Sequence, residues 1–67
     1  MIFNNYLKLK KLELSNNRIR KLEGLNNLLE LQELYLDNNE ITRIENLDNL
    51  NNLIMLHLGR NRISEFR

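Results

Sequence analysis

Apolar residues recur along this chain at one fixed interval. Leu9, Leu31 and Leu53 lie 22 residues apart, as do Leu12, Leu34 and Leu56, and Leu14, Leu36 and Leu58. Ile19, Ile41 and Ile63 keep the same step, and Leu22, Ile44 and Phe66 form a further apolar column. Leu25 matches Leu47, and Leu28 matches Leu50. A single column is always polar: Asn17, Asn39 and Asn61. Self-similarity at such a period marks a stacked repeat, in which one unit cannot bury its apolar side alone and neighbours merge theirs into a continuous core.

Within each unit the pieces Leu12-Glu13-Leu14, Leu34-Tyr35-Leu36 and Leu56-His57-Leu58 alternate apolar and polar, as a half-buried strand requires. The Ile and Leu residues that follow recur every three positions, which predicts a short 3₁₀ or extended turn on the return path. An Asn amide carries donors and an acceptor together. Asn17, Asn39 and Asn61 are therefore expected to satisfy backbone groups where the strand bends away, and to bridge to a neighbouring unit. Asn26-Asn27 and Asn51-Asn52 fall where turns favour them. An amphipathic helix over residues 25–31 is the competing reading. It is rejected because a 22-residue period fits neither a heptad nor a helix hairpin, and the Leu-x-Leu steps break helical phase.

The unit L-x-x-L-x-L-x-x-N-x-I-x-x-I-x-x-L-x-x-L-x-x, followed from Phe3 to Arg67, resembles the leucine-rich-repeat family. It is most similar to the 22-residue class, which includes a regulatory subunit of protein phosphatase 1 and the bacterial internalins. The resemblance implies an α/β repeat solenoid: a horseshoe arc of three coils, one short parallel β-strand per repeat, and a convex side of 3₁₀ or short helical turns. It also implies one domain spanning 1–67, with a partial repeat at 1–8, repeats at 9–30 and 31–52, and an incomplete repeat at 53–67. In the family, binding residues come from the concave face.

Parallel strands stacked about 4.8 Å apart would align equivalent residues across that face. The columns are Lys10-Gln32-Ile54, Lys11-Glu33-Met55, Glu13-Tyr35-His57 and Ser15-Asp37-Gly59. The candidate protein-binding residues are Lys11, Glu13, Glu33, Tyr35, Asp37, Ile54, Met55 and His57, with Tyr35, Met55 and His57 as a mixed central patch. Aromatic residues and Met are enriched at interface centres. Glu33 beside Lys11 is expected to form a cross-strand ion pair of little energetic weight.

Catalytic chemistry has no footing in these columns. His57 is the only histidine, and with no Cys there is no second soft ligand for a zinc site. Ser15 lies two strands from His57, roughly 9.6 Å at two ladder steps, beyond hydrogen-bond reach for a nucleophile and its base. No catalytic, cofactor or metal residues are expected. The cluster Arg18, Arg20 and Lys21 is met in the next repeat by Glu40, Thr42 and Arg43, so no basic stripe tracks phosphates.

Charge and composition sharpen the exclusions. Ten Lys and Arg against nine Asp and Glu give a net charge of +1, too weak a field to imply nucleic acid or a membrane surface as partner. The 16 Leu and 13 Asn could suggest low complexity, but their fixed phase assigns them to the repeat. The first fifteen residues hold no uninterrupted apolar run of the kind a signal peptide needs, so a cytoplasmic location is expected.

Neither end carries the polar-faced capping repeat that solenoids use to cover an open layer. Phe3-Asn4-Asn5-Tyr6 aligns with Leu25-Asn26-Asn27-Leu28, and 67 residues equal three periods plus one. The expectation is a piece of a longer array, or copies that stack end to end through Ile2, Phe3, Tyr6, Ile63 and Phe66 into a homo-oligomer. Three strands of about five residues span on the order of 230 Å², against about 800 Å² per partner in a stable interface. The expected function is a non-enzymatic protein–protein interaction scaffold. The alternatives are a structural self-assembling ring or filament, and a regulatory subunit binding an enzyme such as a phosphatase.

Overall fold

The fold was determined as a computed structural model, which describes residues 8–66, the side chain of Phe66 excepted. Five short strands follow in order: β1 (Lys11–Glu13), β2 (Glu33–Tyr35), β3 (Arg43–Ile44), β4 (Met55–His57) and β5 (Glu65–Phe66). β1, β2 and β4 form a parallel three-stranded sheet in that order. Its register pairs Lys11 with Glu33 and Glu33 with Met55, then Glu13 with Tyr35 and Tyr35 with His57. This is the 22-residue register of the sequence, so the polar member of each Leu-x-Leu piece faces solvent and the leucines face inward.

The core is the set of leucines that recur in phase. Leu22, Leu25, Leu28, Leu31, Leu34, Leu36 and Ile41 have no exposed surface, and Leu50 almost none. Leu9, Leu12, Leu14, Ile19, Leu53, Leu58 and Ile63 pack against them from either side, partly buried. Burial therefore depends on having a neighbour on both sides. Leu34 in β2 is 0% exposed, whereas Leu56 at the same repeat position in β4 is 36% exposed.

Two expectations for the far side need correcting. No 3₁₀ or short helix forms there among the described residues. The chain instead makes consecutive tight turns, closed by Leu28 N–H to Leu25 O (3.2 Å) and Leu31 N–H to Leu28 O (3.1 Å), and again by Leu50 to Leu47 and Leu53 to Leu50. These bonds close only at every third residue, where an apolar side chain turns inward. A 3₁₀ helix needs them overlapping at successive residues. Nor is there only one strand per repeat, since β3 and β5 form a second, two-stranded parallel sheet on the return path. Arg43 and Glu65 pair directly in that sheet, Nε to Oε2 at 2.7 Å. Ile2, Phe3, Tyr6 and most of the partial repeat 1–8 lie outside the described residues.

The Asn column performs the expected work. Asn39, the one buried polar side chain among the described residues, is 6% exposed. Its amide donates to Leu14 O (3.1 Å) and Leu36 O (2.9 Å), and its Oδ1 accepts Ile19 N–H at 3.0 Å. Asn61 repeats the pattern, donating to Leu36 O and Leu58 O and accepting Ile41 N–H. Each Asn thus ties its own bend to the preceding repeat. Asn17 donates to Leu14 O and Ser15 O in its own bend.

The residue before each of these asparagines adopts the left-handed conformation: Asn16 (φ 63°), Asn38 (φ 56°) and Arg60 (φ 54°). Asn tolerates that region through local hydrogen bonding, whereas a long side chain is strained there. Arg60→Asn is therefore expected to raise stability by about 0.5–1 kcal/mol, measured by urea denaturation. No change, or a loss, would show that Arg60 makes compensating contacts.

Candidate protein-binding surface

The solvent face of the β1-β2-β4 sheet positions the residues that the sequence singled out. Strand alternation sends Lys11 and Glu13 out from β1, Glu33 and Tyr35 from β2, and Met55 and His57 from β4, at matched register. Tyr35 stands at the centre. Its ring lies 4.7 Å from that of His57, centroid to centroid and tilted by 40°. Its hydroxyl donates to Glu33 Oε1 and sits 3.9 Å from Met55 Sδ.

Lys11 Nζ is 5.5 Å from the Tyr35 ring centroid, within cation–π range. The expected Lys11–Glu33 ion pair is absent among the described residues: the tyrosine hydroxyl takes the carboxylate, and the lysine stem reaches across the ring. The hydrogen bond from Tyr35 to Glu33 stabilises the phenol over the phenolate and holds its pKa above the usual phenol value. Glu33→Gln is therefore expected to lower the Tyr35 titration midpoint, read as phenolate absorbance. An unchanged midpoint would mean that the bond does not form in solution.

Ile54 is 75% exposed and Met55 39%, and they add an apolar rim along the free side of β4. Asp37 continues the face below Tyr35. Its Oδ1 accepts Gly59 N–H at 2.7 Å, its own N–H reaches Ser15 Oγ at 3.1 Å, and Oδ2 lies 4.0 Å from His57 Nδ1. Glu13 flanks Tyr35 at the same register, its carboxylate held by Ser15 N–H at 2.9 Å and its pKa lowered by the Ser15 hydrogen bonds.

A shallow recess lined by Ser15, Asn16, Asp37, Asn38, Gly59 and Arg60 opens beside the strand ends. The sequence places Ser15, Asp37 and Gly59 in a column of the face, with Asn16, Asn38 and Arg60 following at its rim, but nothing in the spacing shows that Asn38 donates to Asn16 Oδ1 at 2.9 Å and tightens the wall. On the opposite side Arg20 bonds Glu40 at 2.9 Å, which lowers the Glu40 pKa and draws Arg20 out of the basic cluster. Ile63 is half buried against the core. No group of metal-ligating side chains forms among the described residues. No helix there is long and apolar enough to cross a membrane.

Strands at a 22-residue register, a leucine core fed from every repeat and an Asn at every bend define a class, the stacked leucine-rich repeat. The family model for leucine-rich repeats (two copies) matches residues 7–49 and 29–67. The chain belongs to the leucine-rich-repeat family. Neither the search of curated proteins nor that of solved structures gave a match. Leucine-rich repeats are generally modules for protein–protein interaction rather than catalysis.

Proposed function

We propose that this chain is a non-enzymatic, cytoplasmic protein-interaction scaffold whose partner seats on the open face of the β1-β2-β4 sheet. The observation that carries this reading is the cluster around Tyr35. An aromatic ring is flanked by His57, capped by the Lys11 ammonium and bordered by exposed Met55 and Ile54, on strands fixed by hydrogen bonds. Such a surface offers a large amphipathic anchor with little conformational entropy to lose on binding.

The test is selection of peptide ligands from a displayed library, with affinities then measured by calorimetry. Tyr35→Ala and Met55→Glu are each expected to weaken binding at least tenfold, about 1.4 kcal/mol, with the circular dichroism spectrum unchanged. Lys21→Ser, on the opposite side, should have no effect. Ligands that bind the face variants as tightly as the parent chain would contradict the assignment.

A second reading is self-association, with copies stacked end to end in a ring or filament. The 36% exposure of Leu56, against 0% for its equivalent Leu34, supports it. An exposed strand edge above a partly open apolar layer favours coverage by another protein segment.

A further inference from the structure

The Tyr35 hydroxyl stands between two acceptors of unequal strength. It donates to Glu33 Oε1, and it lies 3.9 Å from Met55 Sδ. Glu33 in turn has two suitors. It is the register partner of Lys11, whose ammonium stands 5.5 Å from the Tyr35 ring centroid and has no carboxylate partner among the described residues. A thioether is a weak acceptor, so the carboxylate holds the hydroxyl.

Oxidation changes the polarity of that sulfur. Hydrogen peroxide transfers one oxygen to a methionine thioether: an S–O bond forms, the O–O bond breaks, sulfur gives up two electrons and water leaves. The product is a polar sulfoxide. An oxygen on Sδ, directed at Tyr35, closes the 3.9 Å gap to hydrogen-bond length. The charged carboxylate is the stronger acceptor, but it has a second donor at hand in Lys11. Both acceptors are satisfied when the hydroxyl turns to the sulfoxide and the ammonium turns to Glu33. Met55 is open to the oxidant, since strand alternation sends it to the solvent side of the sheet with Lys11 and Glu33, and it is 39% exposed.

We propose that Met55 is a site of reversible oxidation by peroxide, and that its sulfoxide takes the Tyr35 hydroxyl from Glu33 and releases that carboxylate to Lys11. The apolar centre of the face becomes polar, and the lysine leaves the tyrosine ring. This deepens the binding-face reading, on which its effect on a partner rests: oxidation closes the face to apolar side chains. The chain has no cysteine, so no thiol of its own competes for the peroxide.

The experiment treats the folded chain with dilute hydrogen peroxide and follows three signals. Peptide mapping by mass separates a sulfoxide at Met55 from one at Met1. Nuclear magnetic resonance of the Tyr35 ring gives its own titration midpoint. Calorimetry gives the affinity for a peptide selected against the unoxidised face. The bond to Glu33 holds the Tyr35 pKa above the usual phenol value, so the exchange is expected to move the midpoint down as Met55 gains oxygen. Affinity is expected to fall at least tenfold, and methionine sulfoxide reductases to restore both values. In Met55→Leu, peroxide is expected to change neither the midpoint nor the affinity from that variant's own starting values. Met55→Gln puts a carbonyl oxygen within reach of the hydroxyl, and is expected to lower both without oxidant.

A Met55 that stays reduced under peroxide sufficient to oxidise free methionine overturns the site. So does a response that persists in Met55→Leu. A Met55 sulfoxide that leaves the Tyr35 midpoint unmoved overturns the exchange, and a midpoint that falls while affinity holds overturns the closing of the face. The midpoint needs no ligand. A library that yields no peptide therefore counts against the binding face, while the midpoint still decides the exchange.

Discussion

Replacing Asn39 with alanine is expected to remove much of the protein's stability. Its amide satisfies backbone carbonyls of two repeats, Leu14 O and Leu36 O, while Oδ1 takes Ile19 N–H, all at a site only 6% exposed. Alanine leaves the Ile19 N–H without a partner, which costs about 1–3 kcal/mol. Leu14 O keeps the amide of Asn17 and Leu36 O that of Asn61, so each of those carbonyls loses one donor of two, at roughly 0.5 kcal/mol. The sum, about 2–4 kcal/mol, approaches the whole stability that a core in a domain of this size supplies. Asn17→Ala removes bonds within one exposed bend, and should cost below about 1 kcal/mol. Urea denaturation followed by circular dichroism separates the two. Equal effects at both positions would show that the ladder between repeats is not what holds the bends.

The second large effect contrasts two leucines at one repeat position. Leu34→Ala empties a site with no exposed surface, enclosed by repeats on both sides. It should cost about 3 kcal/mol, within the range for buried leucine truncation. Leu56→Ala at the 36% exposed position should cost about 1 kcal/mol or less, because water already reaches that side chain. The contrast requires dilute samples, since association would bury Leu56 and narrow the gap. Similar losses in dilute solution would mean that the last repeat is covered in a way the sheet order does not provide.

Much of this architecture is legible in the residues because packing allows few alternatives. Leucines at positions 12, 34 and 56 must share a layer once the period is seen, and the strand register follows from it. The Asn ladder was readable for the same reason, as no apolar side chain could serve the bend. The return path was harder. Residues spaced by three suit a 3₁₀ turn, consecutive β-turns or a short strand equally well, and only the pairing of Arg43–Ile44 with Glu65–Phe66 selects the strand.

The face was legible by column but not by contact. Glu33 and Lys11 do sit at one register, yet the Tyr35 hydroxyl from two residues along β2 takes the carboxylate. Competition between partners within reach depends on rotamers, which spacing does not encode. Asn46 likewise reads as one more turn residue, although its amide crosses to Leu22 O at 2.7 Å and ties the far side of adjacent repeats.

Each repeat is stabilised by the repeat beside it, and under the proposed self-association β4 gains a further protein neighbour. Light scattering behind size-exclusion chromatography, with thermal denaturation of the same samples from micromolar to millimolar chain, tests this most directly. Binding that covers only the folded state raises the midpoint with concentration. The expected result is a mass that climbs above 8.1 kDa together with a rising midpoint. A folded chain that stays at monomer mass with a constant midpoint across that range would contradict it.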